Sequence, residues 1–243
     1  MKGKLNYFSK GELFLWGGSV VIVILSFFLF DRGNYSTLAA SLIGVTSLIF
    51  CAKGNLVGPL LMVVFSVLYG AISYTFAYYG EMITYLGMTL PMEIITLISW
   101  IKNPYEEKKA EVRVNRIGTG EMVFLWVLTA VVTLIFYFIL SAFHTANIIP
   151  STISVATSFF AVYLTFRRSA SYAVGYAAND IVLVILWALA SAENRSYFSV
   201  MICFVIFFVN DLYGYVNWKR MERRQTEDTL EKQFEPNIKK FEK

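Results

Sequence analysis

MKGKLNYFSKGELFLWGGSVVIVILSFFLFDRGNYSTLAASLIGVTSLIFCAK, residues 1–53, decides how the chain is read. Lys2, Lys4 and Lys10 precede an apolar run over 11–30, Asp31 and Arg32 interrupt it, and a second run over 36–52 ends at Lys53. Each run has about the 17 to 25 residues an α-helix needs to cross ~30 Å of hydrocarbon. Six further runs follow, over 56–79, 82–101, 122–143, 150–166, 170–191 and 197–218. Threading all eight in alternation puts nineteen of the twenty-one Lys and Arg residues on the side of the N-terminus. Only Arg32 and Arg195 fall on the other side. Basic residues stay in the cytoplasm, so both termini are predicted to be cytoplasmic. The first run is too long for a secretory signal and lacks a small-residue cleavage pattern, so it reads as a retained span.

Composition excludes most other classes. A chain of 243 residues that is 57% hydrophobic, 17% aromatic and 16% charged cannot cover its apolar surface without lipid, which makes it an integral membrane protein. The alternation of an outer-membrane barrel strand is absent, so the fold class is all-α. The net charge of +4 sits in the inner loops and tail, where positive-inside bias explains it without nucleic acid. Cys51 and Cys203 lie inside apolar runs, away from any metal-ligand spacing or disulfide context. His144 is the single histidine and falls in an outer loop, so neither a histidine metal cluster nor a Ser-His triad can form. With no phosphate-binding glycine loop, a pump driven by ATP is excluded. No enzyme activity, cofactor, metal-binding residue or catalytic residue is expected.

The long connection from 102 to 121 carries Pro104 and the mixed-charge run Glu106, Glu107, Lys108, Lys109, and divides the membrane part in two. An acid stands seven residues before a tryptophan on each side of it: Glu93 before Trp100, and Asp211 before Trp218. Thr46 and Ser47 have a weaker counterpart in Thr157 and Ser158. Two three-helix units joined by a single linker span would run parallel, one of the known transporter plans. The expected division is an accessory helix in 1–35, a first triplet in 36–101, a cytoplasmic loop and linker helix in 102–149, a second triplet in 150–220, and a tail in 221–243. The tail mixes charges of both signs and reads as a short helical extension that then frays.

Three carboxylates, Glu93, Asp180 and Asp211, sit inside apolar runs that contain no Lys or Arg. A charge at a helix centre costs roughly 2.5 to 3.5 kcal/mol even on the smaller insertion scales, so such groups face a bundle interior or a watery cavity. Around them run polar and aromatic stripes: Thr89, Glu93, Thr96 and Trp100; Tyr176, Asn179, Asp180, Leu183 and Trp187; Asn210, Tyr213, Gly214 and Asn217, with Asp211 beside the last. Convergence of the three would form a site for a small ligand bearing hydroxyls and a planar ring. Asparagines that merely hold helices together, worth about 0.6 kcal/mol per bond, are the plainer account, and interfacial anchoring is the better one for Trp100 and Trp218. Pro91 cannot donate to the carbonyl of Gly87, so the fourth span should loosen at the depth of Glu93.

The runs YGEMITYLGMTLPMEIITLISWIKN (79–103), YAANDIVLVILW (176–187) and NDLYGYVNWKRM (210–221) together resemble the PnuC family of nicotinamide riboside transporters, over about residues 36–220. The resemblance implies an accessory helix followed by a three-plus-one-plus-three bundle similar to the SWEET carriers, in the bacterial inner membrane and usually as a homotrimer. It implies facilitated diffusion of the riboside, trapped by a cytoplasmic kinase that phosphorylates it. Substrate contacts in that family come from the fourth, seventh and eighth spans. The implied substrate-binding set is Thr89, Glu93, Tyr176, Asn179, Asp180, Trp187, Asn210, Asp211 and Tyr213. Glu93 stands where many members have glutamine, Tyr176 matches an aromatic that is often tryptophan, and Asn210 with Tyr213 matches an Asn-x-x-Tyr motif. The glutamate suits a cationic ring, and leaves open thiamine or another nucleoside. A proton-coupled variant would use Glu93 or Asp180 as the carrier.

Overall fold

Ser9 starts the first helix with a capping box: its side chain accepts from the Glu12 amide while the Glu12 carboxylate accepts from the Ser9 amide at 2.6 Å. In the computed structural model, residues 7–76, 78–106, 108–145 and 147–241 are described. Lys2, Lys4, Glu107 and Lys243, counted in the charge pattern above, lie outside them. The order is α1 (Lys10–Phe30), α2 (Tyr35–Ala52), α3 (Val57–Thr75), α4 (Tyr79–Thr84), a π-helical turn (Tyr85–Thr89) and α5 (Leu90–Ile101). A short antiparallel hairpin follows, β1 (Pro104–Tyr105) and β2 (Lys108–Val112), then α6 (Thr119–Ala142), α7 (Ile148–Phe166), α8 (Tyr172–Glu193) and α9 (Phe198–Phe241). Counting α4, the π turn and α5 as one span, eight helices among the described residues are long and apolar enough to cross a membrane, as the apolar runs require.

Six spans close into a ring. In order around it, α2 packs on α3, α3 on α4 and α5, α5 on α7, α7 on α8, α8 on α9, and α9 back on α2. The linker α6 leans on α7 from outside, and α1 lies against α2 and α9. Both outer helices bury few residues, and the exposed side chains of α6, such as Phe124, Trp126 and Leu134, are apolar as lipid contact demands. Close approach inside the ring depends on small residues: a Cβ added to Gly175 on α8 would come within 2.9 Å of the Ala161 backbone on α7.

At one end of the ring the two triplets grip each other through matching parts. Trp218 Nε1 donates to the Cys51 carbonyl at 2.8 Å, beside the Gly54 amide on the same oxygen, and Asn217 Nδ2 to the Ala52 carbonyl at 2.7 Å, an acceptor that the end of α2 leaves open. Trp100 Nε1 donates to the Thr165 carbonyl at 3.0 Å and Ser99 Oγ to the Phe166 carbonyl at 2.9 Å, at the same two positions of α7. Both helix ends turn in a left-handed residue, Gly54 at φ 63° and Arg168 at φ 56°, with Asn55 and Ser169 amides bonding back to Phe50 and Leu164 carbonyls. The two indoles meet between the triplets at 5.5 Å. Trp100 and Trp218 are therefore interior clamps, fully buried, rather than membrane-interface anchors. In this register Cys51 corresponds to Thr165, so the likeness of Thr46-Ser47 to Thr157-Ser158 is three positions out. The two pairs do different work: Ser47 bonds the Gly58 carbonyl, while Thr157 and Ser158 bond Asn179.

The connection after α5 is a strap rather than a free loop. Val112 N donates to the Gly54 carbonyl and Asn115 N to the Arg168 carbonyl, both at 2.9 Å, so one strand spans the two matching helix ends. The far end of α9 lies against it: Gln225 Oε1 accepts from Val114 N at 2.8 Å, Glu222 pairs with Arg116 at 3.0 Å, Arg224 pairs with Glu111, and Tyr105 donates to Asp228. This docking carries α9 to a length of 44 residues, well beyond the short extension expected for the tail. Gly54 matters doubly here, because a Cβ would meet Met221 Cε at 2.7 Å in a conformation that L side chains avoid. Gly54→Ala is expected to lower stability by about 1 to 3 kcal/mol in thermal unfolding of the detergent-solubilised protein. An unchanged midpoint would show that the strap does not need this turn.

Candidate functional site

The ring interior carries polar side chains on a lipid-excluded line. On α8, Tyr176, Asp180, Leu183 and Trp187 recur at helical spacing and all face inward. Tyr176 Oη donates to Glu93 Oε1 at 2.7 Å, joining α8 to α5 across the ring. One turn further along α8, the Asp180 carboxyl adjoins that of Asp211 on α9. Beyond it Trp187 Nε1 donates to Tyr69 Oη at 2.7 Å, inside an aromatic cage with Tyr78 at 4.9 Å and Tyr197 at 5.6 Å. Tyr69 and Tyr85 stand between the cage and the carboxyls, their ring centroids 4.3 Å apart.

The fourth span is built to present these groups. Pro91 has no N–H, and the turn before it widens into the π-helical segment Tyr85–Thr89, where Leu90 N reaches back to the Tyr85 carbonyl. The loosening expected from the sequence thus falls one turn ahead of Glu93. Thr89 lies in that segment, buried, and its Oγ1 has no partner among the described residues; Thr96, one turn past Glu93, is the same.

Not every expected residue joins this line. Asn179 Oδ1 accepts from Thr157 and Ser158 of α7 at 2.8 and 2.9 Å, which turns its amide into the α7–α8 contact. Asn210 Nδ2 donates to Ser19 of α1 at 3.0 Å, and Tyr213 Oη donates to Glu12 of α1 at 2.7 Å. Both point toward the accessory helix, while Asp211, Gly214 and Trp218 face the ring; Gly214 lies 3.6 Å, at its missing Cβ, from Tyr172 Oη. Asn210 retains one partnerless buried atom, Oδ1. Glu93, Tyr176, Asp180, Asp211 and Trp187 are therefore brought together, with Thr89 beside them, and Asn179, Asn210 and Tyr213 are directed elsewhere.

Three buried acids, Glu12, Asp31 and Glu81, escaped the sequence reading. Glu12 pairs with Lys53 at 2.9 Å and so ties α1 to the end of α2. Glu81, on the first turn of α4, was placed outside the fourth span, whose start was set one residue later; the structure buries it to 1% exposure. Its signal was available, since an acid beside Tyr79 and Gly80 at a span edge reads equally well as inside. The interior consequently holds four carboxyls, Glu81, Glu93, Asp180 and Asp211, and no Lys or Arg among the described residues faces them.

A family model described as nicotinamide mononucleotide transporter matches residues 34–220. The chain belongs to this family, the PnuC transporters. Its curated relatives include the nicotinamide riboside transporter PnuC of Neisseria mucosa, 26% identical over 92% of this chain and 85% of that protein. The protein of the same name from Haemophilus influenzae is 22% identical over 86% and 90%. In structure the chain is similar to a crystal structure of the vitamin B3 transporter PnuC, with a TM-score of 0.79 covering 90% of this chain and 94% of that one at 22% identity. The matched region takes in the whole six-helix ring and α6, and begins just ahead of α2, so α1 lies outside it. This family member is a multi-pass membrane transporter of all-α fold.

Proposed function

We propose that this chain carries nicotinamide riboside across the bacterial inner membrane by facilitated diffusion, and that a cytoplasmic kinase traps the product. The single observation that carries the reading is the interior of the ring: four buried carboxyls walled by phenols and an indole, with no basic residue opposite among those described. An N-ribosylated pyridinium is a flat cation with hydroxyls, and it supplies the positive charge and hydroxyl donors that the carboxyls call for and a flat face for the aromatic walls. Relatives named as nicotinamide riboside transporters agree with it. In this reading Glu93, Asp180 and Asp211 meet charge and hydroxyls, Tyr176 and Trp187 form walls, and Thr89 donates from the loosened turn. Asn179, Asn210 and Tyr213 join only when the helices rock.

Lys53, Arg113, Arg116, Arg167, Arg168 and Arg224 gather at the strap end, which supports placing that end, and both termini, in the cytoplasm. The division into 1–35, 36–101, 102–149, 150–220 and 221–243 goes with it, the two triplets rocking about the carboxyls. A homotrimer comes from the family resemblance, and crosslinking in membranes tests it. Uptake of radiolabelled riboside into cells lacking their own carrier tests the mechanism: accumulation should require the kinase and survive collapse of the proton gradient. Absence of uptake, or loss of it with the gradient while the kinase is active, would count against it. Thiamine, whose thiazolium is also a flat cation, is the second reading that the interior charge favours.

The same charge discriminates against the mononucleotide. A phosphate monoester brings about two negative charges into an interior with four carboxyls and, among the described residues, no basic group facing them. Nicotinamide mononucleotide is expected to compete with riboside uptake at least ~100-fold more weakly than unlabelled riboside. Equal competition would remove the electrostatic basis of the proposal.

A further inference from the structure

Of the four interior carboxyls, Glu81 is the one that takes no part in the Glu93–Tyr176 or Asp180–Asp211 contacts. It lies twelve residues before Glu93 on the same span, roughly 18 Å away along the axis at 1.5 Å per residue. Its neighbour Gly80 packs on Thr145, in the connection between α6 and α7 at the end of the ring opposite the strap. Yet the side chain is buried, and neither Oε1 nor Oε2 has a hydrogen-bond partner among the described residues. The hydroxyl of Ser154 on α7 faces it, itself fully buried and close enough to act on the carboxyl, though outside good hydrogen-bond geometry. Tyr69 and Tyr85 are the other polar groups near it, and Tyr85 also neighbours Asp180 and Glu93, so Glu81 opens onto the same polar line.

A buried carboxyl whose only hydroxyl neighbour holds it loosely, out of good hydrogen-bond geometry, is a site whose stronger partner comes from elsewhere. The surroundings fix its sign. Among the described residues no Lys or Arg is paired with Glu81, so the unmet charge is negative, and the nearby rings add π faces that attract a cation. We propose that Glu81 and Ser154 form a separate outer cation station, which takes the positively charged ring of a substrate before it passes to Glu93. This rests on the reading that the chain carries a cationic ring compound. It adds a charge-selecting step at the outer end of the path, apart from the Glu93–Tyr176 centre.

Calorimetric titration of the purified full-length protein tests it with three probes: nicotinamide riboside, its uncharged dihydro form of nearly the same shape, and thiamine. Glu81→Gln keeps side-chain volume and removes an unpaired buried acid, so the variant should fold, and an unchanged thermal midpoint verifies this. The expected result is a roughly tenfold weaker affinity of Glu81→Gln for the riboside, with the dihydro form within about twofold of wild type. Ser154→Ala should weaken the riboside by about threefold and leave the dihydro form alone. A folded Glu81→Gln protein with the wild-type ratio of cation to neutral affinity would overturn the station, including the case in which Glu81 only holds a proton. If wild type binds thiamine but not the riboside and Glu81→Gln weakens thiamine, the station stands and the riboside reading falls. If no cation binds wild type, both fall.

Discussion

Glu93→Ala is expected to reduce riboside uptake by roughly 10- to 150-fold, at unchanged protein level in the membrane. The carboxylate is buried and accepts from Tyr176 at 2.7 Å, so it is held in one position at the junction of α5 and α8. A hydrogen bond to a charged group contributes about 1.5 to 3 kcal/mol, which converts to that range of affinity. Truncation also strands the Tyr176 hydroxyl in a dry interior, adding a cost that a ligand cannot repair. Glu93→Gln separates charge from hydrogen bonding. It should restore part of the uptake of an uncharged nucleoside and leave the cation about tenfold impaired. Tyr176→Phe should behave as a milder Glu93→Ala, because the acid loses the donor that aims it. Initial rates of uptake, normalised to immunoblotted carrier, read all three. Wild-type rates in Glu93→Ala would remove this residue from the path.

The spans were legible because bilayer thickness sets a length that any apolar run must meet, and because Lys and Arg mark one side of it. The acid-to-tryptophan spacing also reached the structure, although its meaning changed. Interfacial anchoring looked adequate for Trp100 and Trp218 since both lie at span ends. What the sequence could not show is that carbonyls in the last turns of α7 and α2 lie opposite them, because backbone acceptors at a helix end leave no mark in the residue types. The strap was hidden for a similar reason. Its bonds to Gly54 and Arg168 are backbone bonds, and a mixed-charge segment with one proline reads as a loop.

The site was legible by residue type and less so by direction. Asn210 and Asp211 are neighbours in sequence and therefore point about 100° apart on α9, so only one could face the ring. Reading the stripe from Asn210 through Tyr213 selected the face that meets Ser19 and Glu12, because α1 was set aside as peripheral. Following the acid instead, from Asp211 to Gly214 and Trp218, would have found the inner face at the same spacing. On α8 the same choice arose between Asn179 and Asp180, and again the acid looks inward while the amide bonds α7. Amides suit helix contacts, where donor and acceptor are both used, whereas a carboxylate without a base is tolerable only where a ligand or water reaches it.

Trp218→Ala should be the most destabilising single substitution, costing about 3 to 5 kcal/mol for the lost ring and about 1 kcal/mol more for the lost bond to Cys51. The indole is fully buried between α9, α2 and the other clamp, touching Tyr172 at 4.9 Å as well as Trp100 at 5.5 Å. Trp218→Phe is the sharper probe, since it keeps an aromatic ring and removes the N–H, and it should cost about 0.5 to 1.5 kcal/mol for the lost bond, because the Cys51 carbonyl keeps the Gly54 amide. Trp100→Phe removes the matching bond to Thr165 from the other triplet and should cost the same within about 0.5 kcal/mol. The double variant should depart from the sum of the singles, because the two rings are in contact. Thermal unfolding in detergent reads the whole cycle. If one tryptophan proves dispensable while the other does not, the two triplets do not hold each other by equivalent clamps, and the inner end of the ring closes through the strap instead.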